Sequence, residues 1–412
     1  MLWITETCGN DTGPCALCLR TIGCIAFIVA TRAMQNDRHS GARTKLAAGI
    51  QARPNILIVG AGPTGLTAAL ELARRGILPR VIDRKEAPTP LSKAVGISPH
   101  SLEVLEPSGV SERLLSAALR IRRFHMSFEK RQLGVIDFSS LRHRFDFLLS
   151  LPQKDTEAIM ADVLWDLGAR VEWRTELAEM NEATDAVNVR LDTPEGPRDA
   201  RFDYVFGADG VGSVVRGAMG IGFNGYTHKR QWSIADAEIA DWPYEPLAAQ
   251  AFLHGSGDVG FIIPIGENRF RAISNTDDAL ARIPGSYQVT HLLRKDEFHI
   301  PARQAERYQT ARAFLGGDAA HAHSPVGARG MNLGIEDAAC FARRLSSGTL
   351  EGYTAERWPV GKRWIALSER VLRLAQSTNG ATQAFRNLAI SIVGHVPVLQ
   401  RPLLERIAGL KE

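Results

Sequence analysis

The chain lacks three features that would point to particular classes of protein: cysteines in its main body, a long apolar run and a strong net charge. Of its five cysteines, only Cys340 lies beyond residue 24, so we expect a body without disulfides and a reducing, cytoplasmic compartment. No apolar run approaches the roughly 18 residues of a membrane helix, and we predict no integral membrane segment. The net charge of +4 is small and the cations are scattered, which argues against a nucleic-acid partner.

The first 53 residues carry no clear signal of structure or function. Cys15 and Cys18 have CxxC spacing, but no second CxxC or histidine pair follows nearby, so we predict no metal site. The apolar stretch 22–30 is short for a signal peptide, and the acids Glu6 and Asp11 precede it instead of cations. We therefore interpret residues 1–53 as a flexible extension.

A glycine-rich turn lies between a predicted strand and a predicted helix. Residues 55–59 (NILIV) read as a buried strand, and apolar residues recur at helical spacing after Gly65. In this context, Gly60 permits a tight turn, Gly62 lets the backbone approach a pyrophosphate, and Gly65 lets helix and strand pack closely. The helix N-terminus offers free N–H groups to phosphates. The stretch therefore predicts a dinucleotide site.

An acid at the end of the next predicted strand, 78–82, narrows the choice of dinucleotide. Asp83 follows Gly60 by 23 residues, close to the spacing of an acid that binds a ribose hydroxyl. A carboxylate there disfavours the 2′-phosphate of NADP. We therefore expect NAD or FAD at this site.

Two later motifs favour FAD. In residues 201–216 a predicted strand runs into Gly-Ala-Asp-Gly, and Ser213 is placed to cap the next helix. In residues 312–345 another strand is followed by Gly-Gly-Asp, and a helix begins near Asn332. Asp318 is placed to accept hydrogen bonds from ribityl hydroxyls. The N-terminus of the helix near Asn332 is placed to face the pyrimidine end of a flavin, where negative charge builds up on reduction.

The order GxGxxG, GADG and GGDAAH…PVGARGMNLGIEDA resembles the FAD-dependent aromatic hydroxylase family, the single-component flavoprotein monooxygenases related to para-hydroxybenzoate hydroxylase. The resemblance runs from about residue 54 to the C-terminus. It implies an α/β fold: a Rossmann-like FAD-binding domain with an inserted, largely antiparallel β-sheet substrate domain and a helical C-terminal segment. We expect the FAD-binding domain in 54–120, 150–220 and 302–350, the substrate domain in 121–149 and 221–301, and the helical segment in 351–412.

The resemblance also implies which residues contact the cofactor. The expected cofactor-binding positions are Gly60, Gly62, Pro63, Thr64, Gly65, Asp83, Arg84, Lys93, Gln153, Asp209, Gly210, Asp318, Gly330, Met331 and Asn332.

Within this set, the family pattern implies distinct roles. Lys93 would meet the phosphates as a point charge where relatives often have Arg, and Gln153 would reach the ribose or phosphate region. Asp209 belongs to the motif linked to both FAD and the pyridine nucleotide. Pro325 would lie near the reacting edge of the flavin ring.

The loop of the third motif departs from the family pattern. The family sequence Pro-Thr-Gly-Gly-Gln-Gly is replaced here at Val326, Ala328 and Arg329, and Ala328 has fewer backbone options than glycine. The segments 345–350 and 277–303 look shorter than in relatives. These departures leave open a catalytically impaired flavin-binding protein.

The implied reaction is hydroxylation of a phenol-like or polyketide-type aromatic, with NAD(P)H and O2 as co-substrates, through a flavin hydroperoxide. No second strand–GxGxxG–helix unit is found, so we expect NAD(P)H to bind transiently. An epoxidase or a reductase of a quinone-like or polyprenyl lipid remains an alternative. Such a substrate would suit a membrane-touching helix, but we expect residues 388–399 to pack internally.

No catalytic side chain can be assigned from the sequence. His254 lies in a stretch that reads as two strands around a Gly-Glu-Asn turn at residues 266–268, and a histidine on such a strand is more typical of surface or packing than of a base. His321 and His323 flank the flavin loop and are more typical of backbone support than of proton transfer. Cys340 is interpreted as buried packing.

Overall fold

The computed structural model describes residues 53–88, 94–325 and 327–411. The predicted extension before Arg53 and the predicted phosphate contact Lys93 lie outside the described residues. Within these ranges the strands are, in chain order, β1 (Ile56–Val59), β2 (Arg80–Asp83), β3 (Gly96–Ile97), β4 (Leu119–Ile121), β5 (Arg123–Phe128), β6 (Arg131–Asp137), β7 (Leu148–Ser150), β8 (Val171–Trp173), β9 (Glu176–Glu182), β10 (Val187–Thr193), β11 (Gly196–Phe202), β12 (Tyr204–Gly207), β13 (Phe223–Thr227), β14 (Trp232–Ala240), β15 (Ala248–Leu253), β16 (Val259–Gly266), β17 (Arg269–Ser274), β18 (Gln288–Phe298), β19 (Pro301–Ala305), β20 (Ala313–Leu315) and β21 (His321–Ala322).

The helices of the same ranges are α1 (Pro63–Ala73), α2 (Pro99–Leu105), α3 (Val110–Ala117), α4 (Gln153–Asp166), α5 (Val214–Ala218), α6 (Gly330–Ser347), α7 (Tyr353–Ala375), α8 (Gly380–His395) and α9 (Pro397–Ile407). Short 3₁₀ helices lie between these elements, at Glu106–Ser108, Phe138–Ser140, Gly317–Ala319 and Leu350–Gly352.

A five-stranded parallel sheet, in the order β20-β12-β1-β2-β8, forms the centre of the fold. All four residues of β1 are buried, as expected for a strand covered by helices on both faces. The carboxyl ends of β1, β12 and β20 meet at one edge of this sheet. Each of these strands runs into a glycine-containing turn there, so the three sequence motifs converge.

The three glycines of the first motif differ in what surrounds them. Gly60 has φ +102°, and a Cβ on it would overlap the carbonyl oxygen of Ala208. A Cβ on Gly65 would overlap the carbonyl oxygen of Gly60. Gly62, by contrast, has no atom closer than 4.0 Å to an added Cβ. Gly60 and Gly65 therefore serve close backbone packing, whereas Gly62 faces open space.

A seven-stranded sheet stands beside the parallel sheet, in the order β18-β14-β17-β16-β15-β5-β6. Its pairings are antiparallel except for β5 with β15, which agrees with the predicted fold class. The predicted hairpin around residues 266–268 is β16–β17, and Asn268 takes φ 52° in its turn. The side chains on one face of this sheet form a small hydrophobic core, which includes Trp242 and Phe270. The opposite face carries Phe261, Ile273 and Phe298.

Helices α7 to α9 form the predicted helical C-terminal segment, but their surface was wrongly predicted. The expectation that residues 388–399 pack internally is wrong, because Leu388, Ile392 and Val398 are exposed and only the opposite side of α8 contacts β6. The predicted strand at 78–82 begins later, at Arg80, because Leu78 is exposed in the connection after α1. No helix of the described residues has the length and apolarity needed to cross a membrane.

We expect Gly65→Ala to lower the free energy of unfolding by about 3 kcal/mol, because the added methyl group meets backbone that must shift. Gly380→Ala is the matched control. An added Cβ there meets nothing within 4 Å, and alanine is the better helix former. Chemical denaturation of both variants measures the difference. Equal stability of the two would contradict the packing role of Gly65.

Candidate active site

A cleft of about 540 Å³ opens at the edge where the three motifs converge. It is lined by most of the predicted site residues, namely Gly60, Gly62, Pro63, Thr64, Asp83, Arg84, Gln153, Asp209, Gly210, Asp318, Pro325, Gly330 and Met331. Gly65, Asn332, His254 and His321 do not line it.

Asp83 is fixed at the end of β2 by backbone donors. Its Oδ2 accepts from the N–H of Ala61 at 2.8 Å and its Oδ1 from the N–H of Lys85 at 2.9 Å. The side chain is buried, yet it lines the cleft. Arg84 lies beside it at the exposed rim, 3.5 Å from Glu176. The arrangement holds a carboxylate ready to accept a further hydrogen bond from a hydroxyl group.

The N-terminus of α1 faces the same cleft, opposite a carboxyl group that sequence reasoning missed. Glu157 lies on α4, one turn after Gln153, and its Oε1 accepts from Gln153 Nε2 at 2.7 Å. Burial raises the pKa of Glu157. The i, i+4 spacing from Gln153 was the available signal.

Asp209 uses its carboxylate to shape the cleft wall. Its Oδ1 accepts from the hydroxyl of Ser213 at 2.6 Å, and its Oδ2 accepts from the N–H groups of Val214 and Val215 at 2.7 and 3.1 Å. Burial nevertheless raises the pKa of Asp209. Ser213 also caps α5 as predicted, accepting from the N–H of Arg216. The GADG motif is thus a rigid turn that presents its backbone to the cleft.

The turn before Asp318 and the start of α6 bound the far end of the cleft. Gly317 has φ +58°, and a Cβ on it would overlap Thr64 Oγ1. Ala328 is held at φ 53°, a conformation that costs a residue with a side chain about 1 kcal/mol. The helix α6 has no side-chain cap at its N-terminus, so the N–H groups of its first turn remain available to a ligand.

Asn332 connects the start of α6 to the strand β3 and does not point into the cleft. Its Oδ1 accepts from the N–H of Ser98 at 2.8 Å, while its Nδ2 donates to the carbonyls of Gly96 and Ala328 at 3.0 and 2.7 Å. Its side chain is fully buried. The amide therefore holds the loop in place, and only the backbone of this residue is left to face a cofactor.

Behind the loop lies a buried group of charges that the sequence did not reveal. Asp337 Oδ2 accepts from His321 Nε2 at 2.6 Å and from the N–H of Gly317 at 3.0 Å, and Oδ1 accepts from Arg357 Nε at 2.6 Å. Burial opposes its ionisation, but His321 and Arg357 lower the pKa of Asp337 to about 2. His321 thus supports the loop from behind.

Arg329, which replaces the glutamine of the family pattern, joins the same buried group of charges, and this group explains how the replacement is accommodated. The guanidinium is buried, donates to Glu336 Oε1 at 2.5 Å and lies 4.9 Å from the ring centroid of Trp364. Glu336 also pairs with Arg357 at 3.2 Å. The charge that Arg329 introduces is therefore balanced inside the fold.

Two histidines line the cleft, and they differ in exposure. Burial lowers the pKa of His323 to about 4, and its Nδ1 donates to the carbonyl of Ser324 at 2.8 Å, so this imidazole is neutral at pH 7. His299 is exposed and lies between Phe298 and Ile300, which also line the cleft. His254 is elsewhere, 3.2 Å from Glu129 and 3.1 Å from the carbonyl of Arg282.

The wall of the cleft beside His299 is apolar. Ile273 comes from the seven-stranded sheet and belongs with Trp232, Phe298 and Ile300 to one hydrophobic cluster. The cleft thus joins an edge with glycines, the buried carboxylate of Asp83 and two helix N-termini to an apolar wall. These residues fit an FAD molecule, since Gly62 leaves open the space that a Cβ would take.

Comparison with known proteins agrees with this geometry. A family model described as "FAD binding domain" matches residues 53–368. The 6-methylpretetramide 4-monooxygenase of Streptomyces rimosus is 30% identical over 385 residues, which is 87% of this chain and 69% of that protein.

Solved structures show the same fold. An anhydrotetracycline hydroxylase from Streptomyces rimosus is similar with a TM-score of 0.72 and 29% identity, over 87% of this chain and 76% of that one. The p-nitrophenol 4-monooxygenase of Pseudomonas putida is similar with a TM-score of 0.78 and 21% identity, over 87% of this chain and 99% of that one. The resemblance of the three motifs is thereby confirmed: the chain belongs to the FAD-dependent aromatic hydroxylase family and carries its FAD binding domain.

Proposed function

We propose that this protein is an FAD-dependent monooxygenase that uses NAD(P)H and O2 to hydroxylate a polycyclic, polyketide-type aromatic compound. The observation that carries the proposal is the single cleft in which the dinucleotide-type edge meets the apolar wall of Ile273, Phe298 and Ile300. Two of the similar proteins are named for tetracycline-type substrates, which favours fused rings over a single phenol. The three similar proteins reported above are monooxygenases or hydroxylases by name, so epoxidation, reduction or loss of activity is not favoured.

Each part of the cleft has a role in this proposal. The N-terminus of α1 and Gly62 bind the pyrophosphate, Asp83 binds the adenosine ribose, Asp318 binds the ribityl chain, and the first turn of α6 stabilises the flavin pyrimidine. FAD, when bound, supplies the redox chemistry and the activation of oxygen. The segments 54–120, 150–220 and 302–350 would form the FAD-binding domain, and 121–149 with 221–301 the substrate domain.

The chain's own contribution is to orient the substrate, exclude water and receive a proton. The apolar wall excludes water and packs against the faces of the aromatic rings. His299 accepts the proton of the substrate phenol, because it is the one exposed imidazole that lines the cleft among the described residues. His323 is neutral at pH 7 and buried, and so contributes no positive charge beside the flavin.

The purified protein should carry flavin absorbance and oxidise NAD(P)H faster when a fused-ring phenol is added. We expect O2 consumption to match NAD(P)H oxidation and the product to gain the mass of one oxygen atom. A panel of tetracycline-like aromatics, simple phenols and quinones, assayed by oxygen electrode and mass spectrometry, makes this test. Flavin-containing protein that no aromatic stimulates would contradict the proposal, and a product without added oxygen would indicate a reductase.

We expect His299→Gln to lower kcat on a phenolic substrate about 100-fold, because a positioned base contributes at least that much. FAD affinity should not change. His254→Gln is the matched control, since His254 lies outside the cleft, and it should change kcat less than twofold. A full kcat for His299→Gln, measured across pH 6 to 9, would exclude His299 as the proton acceptor.

The Asp337 network gives a prediction for acid stability. Because the pKa of Asp337 is lowered to about 2 in the folded protein, its ionised carboxylate stabilises the fold above about pH 4, and this contribution is lost as the pH falls towards 2. Asp337→Asn should therefore be less stable than the wild type at pH 7, by about 3 kcal/mol, because it removes a carboxylate charge that pairs with the buried guanidinium of Arg357 at 2.6 Å. Its stability should also fall less steeply between pH 4 and 2.

Weaker FAD binding should accompany this loss of stability, because Asp337 also holds the N–H of Gly317 next to Asp318. The exposed pair of Arg113 and Asp166 provides the control. Asp166→Asn should cost less than about 1 kcal/mol and leave the FAD affinity unchanged. Thermal unfolding across the pH range and FAD titration measure both effects. Parallel pH profiles for Asp337→Asn and the wild type would contradict the assigned role.

A further inference from the structure

Three consecutive helices at the C-terminus each expose a stripe of apolar side chains. The residues are spaced i, i+4, i+7 or i, i+3, i+7, so each triplet lies on one side of its helix. Every one of them is between 37% and 70% exposed. We call these residues the C-terminal face: Leu367, Val371 and Leu374 on α7; Phe385, Leu388 and Ile392 on α8; Val396, Leu399 and Leu403 on and before α9.

The three helices pack in sequence, since α8 contacts both α7 and α9. The inner side of α8 lies against β6, where Gly394 is packed on Gly134. The middle helix offers almost no charge to solvent: it has no Asp, Glu or Lys, and its one arginine, Arg386, is buried. The centre of the C-terminal face is therefore apolar.

Within the described part of the C-terminal segment, residues 357–411, the exposed charged side chains are of one sign. Between residues 357 and 411 the only acids are Glu369 and Glu405. Both are buried and paired, Glu369 with Tyr226 and His228, and Glu405 with basic neighbours on and after α9. The exposed charges of this segment are cations, at Lys362, Arg363, Arg370, Arg373, Arg406 and Lys411, and of these Lys411 pairs with Glu405.

An apolar face flanked by the exposed cations of its own helices selects among possible partners. A second copy of the chain would bring the same cationic rim against itself, and like charges across an interface disfavour association. A bilayer that contains anionic lipids complements both features: headgroups attract the cations, and the acyl boundary receives the apolar side chains to a depth of roughly 5–10 Å. No described helix can cross a membrane, so the helices would lie on the surface.

We propose that the C-terminal face docks the protein on the surface of an anionic lipid bilayer. The interaction is independent of turnover, because no residue of the face lines the cleft. It needs both components. Apolar insertion supplies the affinity, and the cations select anionic over zwitterionic lipid and make binding weaken with salt.

The test is co-sedimentation of the full chain with vesicles. We expect binding to vesicles rich in phosphatidylglycerol, little binding to phosphatidylcholine alone, and weaker binding at high salt. Phe385→Ser should reduce binding about tenfold, because it removes the most exposed side chain of the face. Arg370→Gln should reduce it about fivefold. Trp165→Ser, which removes an exposed aromatic on α4 outside the face, is the matched control and should bind like the wild type.

Thermal unfolding of the three variants checks that each is folded, and NAD(P)H oxidation without vesicles should be unchanged in all of them. Two outcomes overturn the proposal. One is a folded wild type that does not sediment with phosphatidylglycerol vesicles. The other is a wild-type dimer in light scattering that Phe385→Ser converts to a monomer without any difference in vesicle binding, since the face would then be an interface between two copies.

Discussion

The site depends on backbone segments that approach one another closely at the N-terminus of α1, because glycines stand where they meet. Gly60 lies against the carbonyl of Ala208, and Gly65 lies against the carbonyl of Gly60. Thr64 fills the space left by Gly317 and by Gly334 of α6. Because the ends of β1, β12 and β20 are held together in this way, the N–H groups that face the cleft are fixed before any ligand arrives. Pre-organised donors of this kind bind phosphate without the cost of ordering side chains.

Charge is the second constraint, and it acts behind the cleft. The buried pair of Arg357 with Asp337 joins α7 to α6, and the pair of Arg329 with Glu336 joins the loop before α6 to that helix. Such pairs add little net stability compared with apolar packing, but removing one partner is costly. Their effect is therefore to fix one position of the loop. Arg329, which departs from the family sequence, is accommodated because a carboxylate and the ring of Trp364 receive it.

Much of this could be predicted from local sequence, because the informative residues lie in turns. The strand–glycine–helix pattern identified the turn at Gly60, and the acid at Asp83 followed from its distance along the chain. The family pattern supplied Asp318 and the antiparallel sheet. Local patterns could not identify Glu157 or Asp337, since their importance comes from partners distant in sequence.

The exposure of residues 388–399 was also beyond local reasoning. An apolar stripe at helical spacing indicates that one side of a helix avoids water, but it does not indicate which neighbour covers that side. The same limit applies to His299. Its sequence surroundings are ordinary for a strand end, and only the three-dimensional structure brings it to the cleft, beside Ile273 of another strand.

The strand order of the parallel sheet bears on how the chain is made. β1 emerges early, but its partner β12 ends at Gly207 and the outer strand β20 ends at Leu315. Pairings between segments so far apart close slowly, because a long loop must be ordered first. During synthesis, one edge of the apolar strand β1 has no partner until the later strands leave the ribosome. In that interval the exposed edge can aggregate or bind a chaperone.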